Sequence, residues 1–455
     1  MVEPASGDLP LQRAVVLGLG VTGRAVARAL VGRGVEVAVV DDHPSEAVRA
    51  AAASLGVDLV VSPSYEDLAT LVAGADALLP SPGIPDVHPG FAAARAAAVP
   101  VLSEFDLAAR WDDRPIVAVT GTDGKTTVTT MVAEMLSASG HTTVACGNTE
   151  TPLVDAIVDP AVDVFVVEAS SFRLGHSRRF RPAVAVWLNF APDHLDVHSS
   201  LAAYESAKAR IWSDLTEGDG LAVANAEDPV VLANRNPDID TVTFGPAGSG
   251  ADATVVGTEL RLPDGTLLVD VDELPRAMPH DVTNALAASV AALAAGAELE
   301  AVRTVLRGFA GLPHRVQLVA EADGVRWYDD SKATTPHATL AAVAGFDSVV
   351  LVAGGRNKGL DLSVLGGAVP PVRAVVAMGE AADEVAAGFA GRCPVRVATD
   401  IDAVVADAAG LAEPGDAVLL SPGCTSFDWF GSYAERGDAF AAAVRRLLAG
   451  AEGPS

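Results

Sequence analysis

Short apolar, β-branched runs alternate with alanine-rich stretches of helical period along most of this chain. Between residues 12 and 110 the runs RAVVLGLG, VEVAVVDD, VDLVVS, ADALLPS and VPVLS are nearly all apolar, as expected of strands buried on both faces of a parallel sheet. VTGRAVARALVGRG has the length and period of a helical crossover between the first two. This rhythm predicts a doubly wound α/β domain, and the polar, proline-ended ARWDDRP marks its end. PIVAVT then predicts a strand leading through a glycine-bearing loop into the helix KTTVTTMVAEMLSASG, with further strands at VDVFVVEA, PAVAVWLNF and GLAVAN. From about residue 240 to 275 short alternating runs around a PDGT turn predict a small antiparallel element, and helices follow to about 308. GLPHRVQ opens a third α/β segment with strands at GVRWYDD, DSVVLVAGG, VRAVVAMG, CPVRVA and DAVLLSPG. The expected boundaries are 1–113, 114–310 and 311–455.

Composition narrows the function. The 455 residues are half hydrophobic, too long a chain for a single core. Net charge is −28, from 31 basic and 59 acidic residues, with no basic run, so neither nucleic acid nor an anionic membrane is an expected partner. The start, MVEPASGDLPLQ, lacks the features of a secretory signal, and ALAASVAALAAGA is too short to span a bilayer. Cys146, Cys393 and Cys424 are scattered, with no C-x-x-C pair, so neither a thiolate metal site nor a disulfide scaffold is expected, and a reducing cytoplasm fits best.

The candidate chemistry sits at strand ends. VAVTGTDGKTTVT, residues 117–129, ends like a phosphate-binding loop, but Val119 stands where the usual pattern has its first glycine. Lys125 at a helix start can reach phosphates and Thr126 can ligate a magnesium ion, so nucleotide binding is expected. GLGVTG offers Gly18, Gly20 and Gly23 after a strand, with Asp41 ending the next strand. That pattern marks a phosphate-bearing ligand, with NAD one candidate and a purely structural turn another. Glu168 in VEASSF is placed to hold a metal, or to cap a helix with Ser170 and Ser171 beside it. NFAPDHLDVH clusters Asp193, His194, Asp196 and His198, a metal-type site or a polar loop. YESAKARIW carries Lys208 and Arg210 on a predicted helix. His314, Arg315, Asp330, Lys332 and Lys358, with Ser421, Thr425 and Ser426, bring anion-binding groups and hydroxyls to the third segment's strand ends.

As an ordered set, GTDGKTT, VEASSF, NFAPDHLD, YESAKARI, GLPHR, DDSKAT and SPGCTSFDWF resemble the Mur ligases, ATP-dependent amino-acid ligases of peptidoglycan precursor synthesis. The loop lacking its first glycine is the form that family carries. The resemblance implies three α/β domains: an N-terminal Rossmann-like doubly wound sheet binding UDP, a central P-loop-type ATPase domain with a small antiparallel element, and a C-terminal Rossmann-like domain binding the amino acid. SPGI, GLPHR and DSKAT point to the branch that adds D-glutamate to UDP-N-acetylmuramoyl-L-alanine. A sister ligase for L-glutamate or another amino acid, a folyl-polyglutamate-type ligase and an NAD-dependent oxidoreductase are the alternatives.

What the resemblance implies for individual residues follows. Lys125, His194, Lys208 and Lys332 would be catalytic. ATP would meet Gly121, Thr122, Asp123, Gly124, Lys125, Thr126, Thr127, Asn284, Arg315 and Asp330. Mg²⁺ would be held by Thr126, Glu168, His194 and Lys208, the last as a carbamylated lysine. Val21, Thr22, Asp41, Ser81 and Asn148 would take the UDP-linked substrate, and Thr334, Lys358, Ser426 and Phe427 the amino acid. The protein is expected to be a monomer. Several positions depart from the family's usual residues: Asp123 and Asp281 for asparagine, Arg173 for glutamine, Thr149 and Glu150 for Ile-Gly, and Asp42 and His43 for Thr-Arg.

Overall fold

A computed structural model describes residues 11–451 apart from Glu217 and Asp219. Three sheets organise them. The first holds β1 (Arg13–Leu17), β2 (Glu36–Asp41), β3 (Asp58–Val61) and β4 (Ala77–Pro80), all parallel, in the order β3-β2-β1-β4. Chain order reverses beside β1, so the turn after it opens onto a crevice of the kind that takes ligands in such sheets. Two expectations need correction here. Edge strand β3 is half exposed rather than buried. VPVLS forms no strand, only a single bridge between Val101 and Leu78. Its extension stops because Ser103 begins a helix: its hydroxyl accepts from Phe105 N, and its own N–H donates to Asp106 at 2.8 Å, a reciprocal cap.

The second sheet holds β5 (Ile116–Thr120), β6 (Thr143–Gly147), β7 (Val164–Glu168), β8 (Val184–Trp187), β9 (Leu221–Asn225), β10 (Thr241–Gly245), β11 (Ala253–Val256), β12 (Glu259–Arg261) and β13 (Leu267–Asp270). Their order is β13-β12-β11-β10-β9-β8-β5-β7-β6. Pairing is parallel from β6 to β11 and antiparallel from β11 to β13, as the change of pattern near residue 240 predicts. Strand β6 is not foreseen, because its threonine and half-buried start break the apolar run. The third sheet runs β14-β15-β19-β16-β17-β18, from β14 (Gln317–Ala322), β15 (Val325–Asp329), β16 (Val349–Gly354), β17 (Val372–Met378), β18 (Val395–Val397) and β19 (Ala417–Leu420). Only β14 and β15 pair antiparallel; β14, an exposed edge of mixed polarity, is also unforeseen.

The described residues form two compact units. One holds the first and second sheets; the other holds the third sheet with Ala191–Asp193 and Val271–Thr283. In the first unit a single apolar core joins Val16 and Val39 of the first sheet to Val167 and Trp187 of the second, through Phe105 and Leu107 of the Glu104–Trp111 helix. Phe105 stacks on Phe180 with centroids 4.5 Å apart. In the second unit alternate residues of β16 enter separate cores, Val349 and Leu351 on one face and Val350 and Val352 on the other. That is why this strand reads as continuously apolar. Among the described residues no helix is long and apolar enough to cross a membrane.

Candidate functional site

Strand β5, wholly buried, delivers the loop Gly121–Gly124 to the first turn of the Lys125–Ala138 helix. Val119, where a second glycine would be sought, lies inside the strand in register with Glu168, so a glycine there would only weaken the sheet. Gly124 is where the backbone needs freedom. Its φ is +83°, and a Cβ would come within 2.9 Å of Asn284 Oδ1. Asn284 therefore lies against the loop.

The loop is braced by a residue that the sequence reading does not single out. Asn189 Oδ1 accepts from both Thr122 N and Asp123 N at 2.9 Å, and its Nδ2 donates to Asp123 O. The signal was available, since Asn189 opens NFAPDHLD two residues after β8. Lys125 Nζ curls back to donate to Gly121 O at 2.9 Å and Thr122 O at 2.7 Å. Lys208, 1% exposed, sends its Nζ to the same Gly121 oxygen and lies 4.7 Å from the Tyr204 ring centroid. Two lysines thus converge on one carbonyl. Thr126 and Thr127 lie in the first turn of that helix, where backbone N–H groups have no intrahelical partner and suit an anion.

Glu168 ends β7 beside this loop, buried, with Oε1 accepting from Asn148 Nδ2 at 2.9 Å. Its Oε2 is buried with no hydrogen-bond partner. A buried carboxylate oxygen left unsatisfied is costly unless a cation or a proton meets it. A carboxylate and a threonine hydroxyl are hard oxygen donors, so the residues present fit a magnesium ion. His194, held at φ +56°, packs its ring on Phe172 at 4.7 Å and on Tyr204 at 6.0 Å, which puts it in the same aromatic cluster as Lys208. His198 bonds Ser171 Oγ at 2.9 Å, and burial pulls its pKa down.

At the first sheet's turn, Asp41 accepts from Leu19 N at 3.3 Å and His43 N at 3.1 Å, and Ser81 Oγ donates to Gly18 O at 2.7 Å. The third glycine of GLGVTG, Gly23, is there for close approach: a Cβ would overlap Gly18 O and Ser81 Oγ. Val21 is 64% exposed and Thr22 is buried. His43 is exposed, while Asp42 meets His88 Nε2 at 3.2 Å.

Arg173 joins several of these groups. It forms a buried ion pair with Glu104, whose carboxyl pKa is pushed up by burial against the pull of the guanidinium. It also donates to Asn148 Oδ1 and to Thr22 Oγ1, each at 2.8 Å. The departure at this position is thus compensated by a buried partner. Asp281 is likewise held, by two 2.6 Å bonds from Arg276, whose Nη1 also reaches Arg315 O.

In the second unit, Asp330 follows β15 and is buried, accepting from Ser421 Oγ at 2.7 Å and Val316 N at 3.3 Å. Burial raises its pKa to about 7. His314, at φ +59°, bonds Asp329 at 2.6 Å, and its carbonyl accepts from Lys332 N. Lys332 Nζ stands 3.8 Å from the Tyr433 ring centroid. Lys358 pairs with buried Asp193, Ser426 is buried, and Phe427 is 61% exposed. Thr334 is half-buried in the loop after Lys332.

Sequence reasoning also missed Arg436, at 1% exposure among the most buried side chains. It donates to Ser331 Oγ and O at 2.9 Å and to Cys424 O and Thr425 O at 3.1 Å. One guanidinium thereby ties the loop bearing Lys332 and Thr334 to the loop bearing Ser426 and Phe427. Burial lowers its pKa to about 10, so it stays a cation at neutral pH.

Three family models match consecutive stretches: the Mur ligase MurD-like N-terminal domain over residues 12–103, the Mur ligase middle domain over 119–292 and the Mur ligase glutamate ligase domain over 314–424. A UDP-N-acetylmuramoylalanine–D-glutamate ligase of Frankia casuarinae is 42% identical over 450 residues, covering 95% of this chain and 93% of the relative. The enzyme of the same name from Desulfosudis oleivorans is 41% identical over 457 residues, with 96% and 97% covered. Among solved structures, the UDP-N-acetylmuramate-alanine ligase of Thermotoga maritima has the same fold, with a TM-score of 0.57 at 19% identity, covering 97% of this chain and 100% of that one.

Proposed function

The chain belongs to the Mur ligase family, and from that premise we propose that it joins D-glutamate to UDP-N-acetylmuramoyl-L-alanine, cleaving ATP to ADP and phosphate in peptidoglycan precursor synthesis. One observation carries the chemistry: a partnerless, buried oxygen of Glu168 stands beside a phosphate-type loop on which Lys125 and Lys208 converge.

The substrate carboxylate attacks the γ-phosphorus of ATP, forming an acyl phosphate as the bond to ADP breaks. The amine of D-glutamate then adds to the acyl carbon, loses a proton and expels phosphate as the amide forms. Lys125, freed from Gly121 O and Thr122 O, follows the transferring phosphoryl group, whose charge needs a fixed cation. Thr126 and Glu168 would hold one magnesium, and His194 and Lys208 would serve a second. When bound, the metal neutralises phosphate oxygens.

Lys208 is assigned as carbamylated. Its neutral amine adds to CO₂ with loss of a proton, which replaces one of two crowded ammonium groups with an anionic oxygen ligand suited to a hard ion. Asn284, Arg315 and Asp330 hold ATP, and Val21, Thr22, Asp41, Ser81 and Asn148 hold the UDP-linked substrate. Lys332 and Thr334 face the reacting groups, and Lys358, Ser426 and Phe427 face the amino acid. Segments 1–113, 114–310 and 311–455 carry the three tasks in turn, in a cytoplasmic monomer.

The test is ATP-dependent phosphate release with UDP-N-acetylmuramoyl-L-alanine, comparing D-glutamate, L-glutamate and other amino acids. Release with D-glutamate alone is expected. Release with another amino acid instead would move the assignment to a sister ligase, and none with any would overturn it.

A further inference from the structure

We infer that Arg173 is a positioning residue for the metal carboxylate, acting through Asn148; this rests on the reading of Glu168 as a magnesium ligand. A guanidinium can only donate hydrogen bonds. Arg173 Nη1 lies 2.8 Å from one end of the Asn148 amide, so that end must be the carbonyl oxygen. The other end, Nδ2, is then obliged to face Glu168 Oε1, to which it donates at 2.9 Å. With Oε1 satisfied from outside, the carboxylate is held so that Oε2 alone is left for a cation. Arg173 is itself fixed at two further points, by Glu104 and by Thr22 Oγ1 of the turn after β1. A residue at position 173 without a hydrogen-bond donor would let the amide turn over and set its oxygen against the carboxylate. Outer partners of this kind typically change metal affinity by about 10- to 100-fold.

The experiment is a Mn²⁺ titration of the full chain with ATP, read from the free-ion electron paramagnetic resonance signal, so it needs no turnover. Arg173→Met is expected to weaken Mn²⁺ binding about 10-fold or more and to raise the Mg²⁺ midpoint for phosphate release in parallel, with KM for the amino acid unchanged. Should that variant fold poorly, Arg173→Leu, which likewise offers no donor to Asn148 Oδ1, gives the same shift. Glu104→Gln is the control. It removes the charge partner yet keeps an acceptor for Arg173, so it lowers Tm while Mn²⁺ affinity stays at the wild-type value. Unchanged affinity in both Arg173 variants, or an equal loss in Glu104→Gln, would overturn the inference. Wild-type chain that binds Mn²⁺ with ATP but releases no phosphate would instead overturn the proposed reaction and leave the positioning role standing.

Discussion

Asp330→Asn is expected to stabilise the protein above neutral pH and to change little near pH 4. In the unfolded chain the carboxyl ionises near 3.8; in the folded chain burial keeps the proton on until about pH 7. Below the lower value both states are protonated and the group costs nothing. Between the two only the unfolded state ionises, so stability falls with rising pH by ~1.4 kcal/mol per pH unit. Above the upper value the loss is complete, and the interval from 3.8 to about 7 converts to about 4 kcal/mol. Asparagine has the shape of the protonated acid. It can accept from Val316 N and donate to Ser421 Oγ, so the site stays satisfied while the ionisation disappears. The assay is urea unfolding of both proteins at several pH values, following the difference between them. That difference should open from near zero to roughly 4 kcal/mol and then level off. A difference that is flat with pH, or a variant less stable than its parent at alkaline pH, would refute the assignment of the penalty to this acid. If Asp330 also holds the ribose, the stabilised variant should bind ATP more weakly.

Three further outcomes can be checked directly. Lys125→Ala should abolish phosphate release while circular dichroism and Tm stay near wild type, because its Nζ bonds only its own loop; normal turnover in a folded variant would remove its role. Lys208→Ala should lose most activity and regain part of it with added short carboxylic acids, which replace the carbamate oxygens; absence of rescue counts against the modification. Arg436→Ala strips four hydrogen bonds from buried oxygens and should destabilise by roughly 3–5 kcal/mol. The milder Arg436→Lys should raise KM for the amino acid more than for ATP, and equal changes in both would show that it does not set the two loops.

Much of the fold was legible because parallel strands covered on both faces must be continuously apolar, as β1, β5, β7 and β16 are. Edges were not: β14 and β6 carry polar residues on half-exposed faces, and VPVLS was apolar but cut short by the cap at Ser103. Candidate site residues on glycine-bearing turns and strand ends, such as Lys125, Glu168 and Asp330, could be nominated from position alone. The braces could not. Arg173 meets Glu104 across 69 residues, and Arg436 meets Ser331 across 105, distances over which no local pattern reports a contact. Asn189 stood in the NFAPDHLD motif after β8, but its role as a brace shows only in its bonds to Thr122 and Asp123.

The strand order of the third sheet also constrains how the chain can be made. The hairpin β14-β15 and the trio β16-β17-β18 are synthesised first, yet they do not pair with each other: β19, Ala417–Leu420, lies between β15 and β16 and is hydrogen-bonded to both. Until those four residues leave the ribosome, β15 and β16 each present an open edge, that of β16 wholly apolar, the condition under which a nascent chain recruits the wrong partner. The first sheet has no such dependence, since all four of its strands lie before residue 81. Synthesis interrupted shortly before Ala417 would therefore leave the N-terminal sheet able to form and the C-terminal one in two unjoined pieces, a ready substrate for chaperones and proteases.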